Sequence, residues 1–242
     1  MSTLQKIITT ILSLSAMAGS LIAGDAWNYS ASLDISGKEG NTEEFGTQIG
    51  LKASKDVAVY TSMIYGTYDK AETSGVDTAD ELILGAEYAK FLTERTGLFA
   101  SFEYEKDDFE SIDSRMTPSI GVVYRFLNTA DHKFSGKIGL SYRIEEYTNG
   151  LENSDFGGRL GVDHYWKFAE WGEMTNELDY TPSFEDADNF LVDHDSGVNI
   201  PLGFSDNFAL RLGVSNTYNN TTLPGIEELD TTYYLRLVVD WE

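Results

Sequence analysis

The chain has no cysteine among its 242 residues. This absence excludes disulfide bonds, cysteine-ligated metal sites, a catalytic thiol and a lipid-modified N-terminal cysteine. Proline is also scarce, at 4 residues, whereas glycine numbers 22 and aromatic residues make up 13% of the chain. Such a balance favours many β-strands joined by turns. The length suits one large β-domain or two small domains.

Basic residues are few, because 17 Lys and Arg stand against 40 Asp and Glu, giving a formal net charge of −23. Nucleic acid is therefore not an expected partner, since neutralising its phosphates requires Lys and Arg. A strongly acidic chain can be disordered. Here 41% of the residues are hydrophobic and the aromatic residues are spread throughout, which predicts a folded domain.

Long apolar runs are absent except for Ile7–Ala23, which follows Lys6. Small residues then lead out of the run, which is the layout of a secretory signal peptide. A membrane-anchoring helix is the alternative, but the run is short for a membrane span. We predict a signal peptide over residues 1–24, with cleavage between 23 and 26, and one exported domain over 25–242.

From Trp27 onward, segments that alternate apolar and polar residues are separated by turn residues, which is the pattern of β-strands. These segments are long for soluble strands, which average about 5–6 residues, and suit tilted crossings of a bilayer, which need about 9–11. Twelve strands are predicted, at approximately 27–37, 43–54, 57–68, 80–90, 96–106, 114–126, 133–147, 154–167, 173–182, 189–202, 207–218 and 230–241.

The connections between these strands differ at the two ends of the sheet. Those after even-numbered strands are short: KD (55–56), FLTER (91–95), FAEW (168–171) and FSD (204–206). Those after odd-numbered strands are mostly longer and acidic, as in DKAETSGVDTA (69–79) and TNGLENS (148–154). Outer-membrane barrels have short periplasmic turns, longer outer loops and an even number of strands. We predict an all-β fold, a closed antiparallel up-and-down transmembrane β-barrel of about 12 strands.

Most predicted strands have one apolar and one charged face; Ile138 and Leu140, for example, alternate with Lys137 and Arg143. In a membrane barrel the charged face lines the lumen, whereas a soluble barrel points its apolar face inward. Periodicity alone does not separate the two, and residues 57–68 have no clean polar face. The main lumen candidates are Arg125, Lys137, Arg143, Arg159, Asp163, Lys167, Glu177, Asp179, Arg211, Arg236 and Asp240, and others include Lys52, Glu87, Glu103, Glu145 and Asp193.

The four tryptophans favour the membrane barrel. Trp27 opens the first predicted strand, Trp166 and Trp171 flank the turn after the eighth, and Trp241 ends the last. All four therefore fall at the short-turn end. Tryptophan prefers the membrane–water interface, where its ring is half apolar and its N–H is hydrated. We predict that these residues are periplasmic interface anchors and that outer-membrane lipid surrounds the barrel.

Four stretches carry a family resemblance: SGKEGNT (36–42), FASFEYEKDDFESIDSRMTPSIGVVYRF (99–126), YRIEEYTNGLENSDFGGRL (142–160) and DTTYYLRL (230–237). The chain resembles the bacterial family of salt-induced outer membrane proteins, a domain family of unknown function. The resemblance covers about 27–242 and implies an outer-membrane β-barrel inserted by the barrel-assembly machinery, with no established chemistry. One departure is Glu242, which follows Trp241 where the family ends on an aromatic residue.

His194, in VDHDSG, is the best candidate for catalysis. Strand alternation separates His194 and Ser196 from the neighbouring acids, so the members of a Ser–His–acid triad do not converge. His164 is expected on the lipid face and His132 in a turn, so a zinc site is improbable. We therefore predict no catalytic, cofactor-binding or metal-binding residue, and the protein is not expected to be an enzyme.

The predicted outer loops contain acid clusters, such as those within 107–113 and 185–188. None shows a twelve-residue calcium loop, so they are expected to be a solvated surface that attracts cations weakly. Twelve strands lie between filled eight-stranded barrels and wide sixteen-stranded porins, which leaves a plugged lumen and an open channel as alternatives. The expected function is structural, as in envelope adaptation to salt, or passive passage of small solutes. A narrow ion-selective channel, an outer-membrane hydrolase and a soluble ligand-binding barrel are the alternatives.

Overall fold

The structure, a computed structural model, describes residues 27–39, 44–73, 76–203, 207–222 and 225–242. All of the long regular elements in these ranges are β-strands, and no helix there is long and apolar enough to cross a membrane. The strands are β1 (Asn28–Glu39), β2 (Glu44–Val57), β3 (Tyr60–Thr73), β4 (Val76–Phe91), β5 (Thr96–Asp107), β6 (Ile112–Met116), β7 (Ser119–Asn128), β8 (His132–Tyr147), β9 (Glu152–Ala169), β10 (Gly172–Pro182), β11 (Phe190–Pro201), β12 (Phe208–Asn219) and β13 (Leu229–Trp241).

The strands form one antiparallel sheet that closes on itself. Apart from β6 and β7, which do not pair with each other, consecutive strands pair, and β1 also pairs with β13, from Tyr29 opposite Trp241 to Glu39 opposite Thr231. β6 and β7 share one position between β5 and β8, interrupted at Pro118, which has no N–H for the ladder. The barrel thus has twelve strand positions, and the prediction of a closed up-and-down barrel is confirmed.

The connections at one end of the barrel are short turns, at 58–59, 92–95, 129–131 and 170–171. The predicted turn at 55–56 was wrong, because both residues lie within β2 and the chain turns at 58–59. The predicted turn at 204–206 lies outside the described residues. β1 begins and β13 ends at this end, so we call it the short-turn end.

The opposite end, which we call the outer mouth after its predicted orientation, carries connections at 108–111, 148–151, 183–189 and 220–228. The stretch 69–79, predicted as a loop, is largely strand, since Lys70 pairs with Asp80 and pairing continues to Thr73 opposite Val76. In water, backbone hydrogen bonds hold a polar hairpin together without an apolar face. The pairing of β3 with β4 therefore continues beyond the residues that alternate between apolar and polar.

The barrel has an apolar outside and a charged inside. Ile138 is 62% exposed, whereas the nearby Arg143 is 3% exposed. Large hydrophobic side chains are exposed around the wall, including Ile64, Leu84, Leu98, Phe102, Ile120, Leu140, Leu160, Leu178, Leu212, Leu235 and Leu237. A continuous apolar belt of this extent suits hydrocarbon, not water. It also settles the orientation of β3, on which Ile64 points outward.

The four tryptophans lie together at the short-turn end, as the sequence indicated. Trp241 stacks on Tyr29 of the adjoining strand, with ring centroids 5.8 Å apart. Phe168 contacts both Trp166 and Trp171 edge to face, at 5.8 and 5.4 Å. An aromatic girdle of this kind marks one rim of the apolar belt.

Candidate functional site: the charged lumen

Ion pairs cross the middle of the lumen. Lys137 on β8 lies 2.8 Å from Glu87 on β4 and 3.2 Å from Asp163 on β9. Because β4 and β8 are three strand positions apart, their side chains can meet only through the interior. Lys137 has a side chain only 9% exposed. Its charge is therefore neutralised inside the barrel, as a sequestered ammonium requires.

Arg159 on β9 forms a second bridge. Its Nε donates to Asp179 on β10 at 2.6 Å, and its Nη1 donates to Ser101 on β5, also at 2.6 Å. The guanidinium lies 5.9 Å from the centre of the Phe99 ring. Fixed donors in a fork suit arginine to such bridging, because one side chain can contact two walls at once.

The closing seam between β1 and β13 carries its own pair. Arg236 donates to Asp34 through Nε at 2.7 Å and through Nη2 at 2.6 Å, and Nη2 also reaches Gln48 on β2 at 3.4 Å. Asp34 is 2% exposed. The bidentate geometry is the strong form of this interaction. It joins the last strand to the first two.

A second network lies beside the seam. Arg211 on β12 donates to the hydroxyl of Tyr234 on β13 at 2.8 Å, and that hydroxyl donates to Asp195 on β11 at 2.6 Å. Arg211 also pairs directly with Asp195. Three adjacent strands are thus linked by one closed triangle of hydrogen bonds.

An apolar cluster narrows the lumen towards the short-turn end. Ala89, Phe91, Phe99 and Val123 are buried together on the inward face. The guanidinium of Arg125 covers this cluster, 3.4 Å from the centre of the Phe91 ring. These inward apolar residues break the charged alternation, and we did not anticipate them from the sequence.

One sequence signal does mark this cluster. The ring of Phe99 occupies space that a side chain at position 121 would fill. A Cβ on Gly121 would lie 2.7 Å from that ring and 2.2 Å from the backbone oxygen of Ile138. A Cβ on Gly139 of β8 would lie 3.0 Å from the same ring. Inward glycines opposite an inward phenylalanine therefore indicate such packing.

Arg125 and Lys133 meet one acid at the short-turn end. Asp56 on β2 lies 3.4 Å from Arg125 and 2.8 Å from Lys133. Arg125 lies on β7 and Lys133 on β8, so these contacts cross from one side of the barrel to the other. The side chains of Asp56 and Lys133 are each 47% exposed, which makes their pair weaker than the sequestered ones.

Towards the outer mouth, Arg115 is held between two acids. It donates to Glu145 at 2.8 Å and to both oxygens of Glu105 at 2.8 Å. Its side chain is 2% exposed. Arg143 next to it pairs with Glu145 at 3.4 Å and with Asp155 at 3.5 Å. Arg115, Arg143 and Glu145 are thus almost fully sequestered from solvent.

The outer connections pack against one another above that cluster. Glu110, in the turn 108–111, hydrogen-bonds with Asp230 at the start of β13, on the opposite side of the barrel. Burial raises the pKa of Glu110 to about 9, helped by Glu105 and Asp107 and opposed by Arg115. A small cavity here is lined by Glu110, Ile112, Arg115, Tyr147, Asn219, Thr222 and Ile226.

Three of the lumen candidates differ from the rest. Lys167, Glu177 and Asp240 occupy inward positions of their strands, yet they are exposed and form no ion pair with another described residue. The remaining candidates, which are Arg125, Lys137, Arg143, Arg159, Asp163, Asp179, Arg211 and Arg236, all take part in the contacts above. The sequence predicted that these charges face inward, but it did not predict which of them pair.

The outward face carries a neutral polar network that the sequence did not reveal. Hydrogen bonds of 2.7–3.0 Å join polar side chains across six neighbouring strands, from the outer mouth on β13 to the short-turn end on β8. We call this network the polar ladder. Its members in order are Thr231, Asn216, His194, Ser196, Asn176, His164 and His132.

The polar ladder contains all three histidines of the chain. Asn216 donates to Nδ1 of His194, so the proton of that ring is on Nε2, which donates to Ser196 at 2.8 Å. Asn176 donates in the same way to Nδ1 of His164. His132, predicted in a turn, is the first residue of β8.

These contacts give His194 and Ser196 a structural role. Their partners are Asn216 and Asn176, and the neighbouring Asp193 and Asp195 face the lumen. No Ser–His–acid arrangement forms around His194, in keeping with the alternation of the sequence.

The barrel is similar to solved outer-membrane proteins. The NanC porin is 10% identical, with a TM-score of 0.59, over 86% of this chain and 98% of that one. The KdgM porin in complex with disordered oligogalacturonate is 14% identical, with a TM-score of 0.49, over 87% and 99%. The translocator domain of autotransporter NalP from Neisseria meningitidis is 12% identical, with a TM-score of 0.47, over 99% and 97%.

No curated protein matches this chain in sequence. A family model does match, over residues 31–241, which is nearly all of the barrel. Its description agrees with the domain family of unknown function indicated by the sequence. The chain belongs to the family described as "Protein of unknown function, DUF481".

Proposed function

We propose that this protein is an outer-membrane channel that lets small ions or solutes pass passively through a narrow, charge-lined lumen. The observation that carries the proposal is the set of inward charges that pair between non-adjacent strands, such as Lys137 with Glu87. An apolar outside with a charged inside is the arrangement of membrane channels. The porin fold supports the same assignment.

The size of the barrel limits what can pass. Twelve strands spaced by ~4.8 Å and tilted by ~40° enclose a backbone cylinder ~24 Å across. Side chains from one wall do not fill that width, so bridges such as Arg159 to Ser101 subdivide it. We expect only small ions or solutes to pass between these bridges, with a conductance well below that of sixteen-stranded porins.

The cellular setting belongs to the same proposal. The signal peptide predicted over 1–24 lies outside the described residues and would direct export, after which the barrel-assembly machinery would insert the barrel. The tryptophans at the short-turn end would then anchor the periplasmic interface, next to outer-membrane lipid. The acidic outer connections would concentrate cations weakly near the mouth.

A closed barrel with a structural role in the envelope, including adaptation to salt, is the second candidate. Two observations favour it: the buried inward cluster around Phe91 and Phe99, and the contact between Glu110 and Asp230 across the outer mouth. Both narrow the lumen at its ends. The resemblance to salt-induced proteins is the support for the salt role.

Planar-bilayer recording separates these two candidates. We expect small conductance steps from the refolded protein, and Phe99→Ala should enlarge them at least twofold, because it removes an inward ring from the constriction. Phe102→Ala is the matched control, since Phe102 lies on the same strand but points outward and is 46% exposed. Heat-modifiable gel mobility verifies folding of each variant. Silent bilayers with folded protein, for the parent and for Phe99→Ala, would refute the channel and leave the structural role.

A further inference from the structure

Two histidines face each other on the outward surface near the short-turn end. Nε2 of His132 on β8 lies 3.0 Å from Nε2 of His164 on β9. The ring centroids are 5.1 Å apart, with 63° between the ring planes. The two nitrogens are therefore close neighbours, and a small rotation of the two rings would turn both lone pairs towards one point beside the line that joins them.

Neighbouring groups hold both rings in this arrangement. Phe134 meets His164 edge to face at 6.0 Å, and Trp166 lies against His132 at 6.3 Å. Asn176 hydrogen-bonds to the far nitrogen of His164 at 3.0 Å. The backbone of His132 is fixed by Thr129, whose hydroxyl accepts from its N–H at 3.0 Å. Rings held by packing and by an outer hydrogen bond are the usual setting of imidazole ligands.

We propose that His132 and His164 bind one divalent transition-metal ion, with Cu(II) or Ni(II) preferred. Imidazole nitrogens bind such ions at ~2.0–2.1 Å. Two nitrogens 3.0 Å apart reach a common ion at that distance with a nitrogen–metal–nitrogen angle of about 90°. That angle belongs to square-planar and tetragonal sites, which Cu(II) and Ni(II) favour, whereas tetrahedral zinc requires a wider separation of about 3.4 Å.

Within the described residues, no group of three or more His, Cys, Asp or Glu side chains is arranged to hold a metal ion. The pair therefore supplies two ligands and water supplies the others. His132 is the first residue of β8, beside the turn 129–131, where water can reach the ion. Two ligands give weaker binding than the closed four-ligand sites of structural metals.

The polar ladder provides for the proton that a metal displaces. In the ladder the hydrogen of His164 lies on Nε2, so coordination requires it to move to Nδ1. A half-turn of the Asn176 amide then presents its oxygen to that Nδ1–H, and Ser196 rotates to accept from the amide nitrogen.

Copper titration of the folded full barrel in detergent tests the site. We expect one Cu(II) per barrel, with electron paramagnetic resonance showing two equatorial nitrogens. His132→Gln and His164→Gln should each weaken binding at least tenfold, because glutamine keeps the size and the hydrogen bonding but does not supply an imidazole. His194→Gln is the matched control, since its ring nitrogens are both bound within the polar ladder and it should bind as the parent does.

The alternatives give different results. Failure of the parent to bind Cu(II) stoichiometrically at ~10 µM would overturn the site. Equal weakening in all three variants would also overturn it, as would parent-like binding by His132→Gln/His164→Gln, which would place the copper on backbone or terminal nitrogens. The chain has no cysteine and only three histidines, so these variants cover every side chain of those two types. None of these readouts depends on conductance, so the site and the channel can fail separately.

Discussion

The two walls of this barrel handle polar groups in opposite ways. The inner wall carries full charges that meet in pairs, as Lys137 meets Glu87 and Arg236 meets Asp34. The outer wall carries the polar ladder, in which every member is a hydroxyl, an amide or an imidazole and passes one hydrogen bond to the next. The inner network joins distant strands, whereas the ladder joins adjacent ones.

This difference follows from the media on the two sides. Charges inside a barrel need only a partner and some water, since a buried charge is stable when paired. Hydrocarbon supplies neither, so a polar group facing lipid must be neutral and bonded within the protein. Histidine, asparagine, serine and threonine meet that condition in the ladder.

The largest loss of stability is expected at the closing seam between β1 and β13. Asp34→Ala removes the buried carboxylate and leaves the half-buried Arg236 without it, which should lower the free energy of unfolding by about 3–5 kcal/mol. Equilibrium unfolding of the refolded barrel in detergent, followed by tryptophan fluorescence, measures the loss. Asp240→Ala is the control, because Asp240 is inward but exposed and unpaired among the described residues. A loss below 1 kcal/mol at Asp34 would mean that the pair does not stabilise the seam.

The second-largest loss of stability is expected from a charge introduced on the outward wall. Ile138→Lys places an ammonium in the apolar belt and should cost about 2–4 kcal/mol in a bilayer. The same unfolding experiment in lipid vesicles measures it. Ser135→Lys on the same strand is the inward comparison, where the new charge meets Asp163, and it should cost much less. Equal costs at the two positions would contradict the assignment of the walls.

A break in the polar ladder should have a smaller effect. Asn176→Leu makes the outward surface more apolar, yet it removes one of the two hydrogen-bond partners of His164 and one of the two of Ser196. Unsatisfied groups of this kind cost about 1–3 kcal/mol, and the leucine offsets part of that. We expect a net loss of about 1 kcal/mol, against no change for Met174→Leu on the same face. A gain in stability would show that the ladder contributes nothing.

The smallest effect is expected at the outer mouth, where only the opening of one turn should change. The pKa of Glu110 rises from its ordinary 4.5 to about 9, so its protonated contact with Asp230 is fully formed below 4.5 and weakens as pH rises towards 9. Hydrogen exchange of the turn 108–111, compared at each pH with Glu110→Gln, should show faster opening only in the parent. Identical protection in the parent and the variant across that pH range would show that the Glu110 carboxyl does not hold the turn in place.

Much of the fold was predictable because strand alternation and turn asymmetry are local properties. The alternation of apolar and polar residues predicted inward positions for Arg143 and Arg159. The tryptophans predicted that their own strand ends lie together at one end of the barrel. Strand ends were less certain, since β3 and β4 continue past their apolar segments. The partners of the inward charges depend on the curvature of the closed barrel, which no local pattern records.

The polar ladder was missed for a related reason. His132, His164 and His194 are far apart in sequence, and only the register of β8 to β13 brings them into one line. The inward cluster at Phe91 and Phe99 escaped because apolar residues at inward positions look like lapses in alternation. Glycines at the facing positions were the available signal.

The alternation of the two walls can be measured directly on β8, because the chain has no cysteine and any introduced one is unique. Single cysteines carrying an environment-sensitive fluorophore would be placed at 135, 137 and 141, which face inward, and at 138, 140 and 142, which face outward. In vesicles with a lipid-borne quencher, we expect quenching at 138, 140 and 142 and none at the other three. Quenching at the odd-numbered positions, or no alternation at all, would contradict a membrane barrel with a charged lumen.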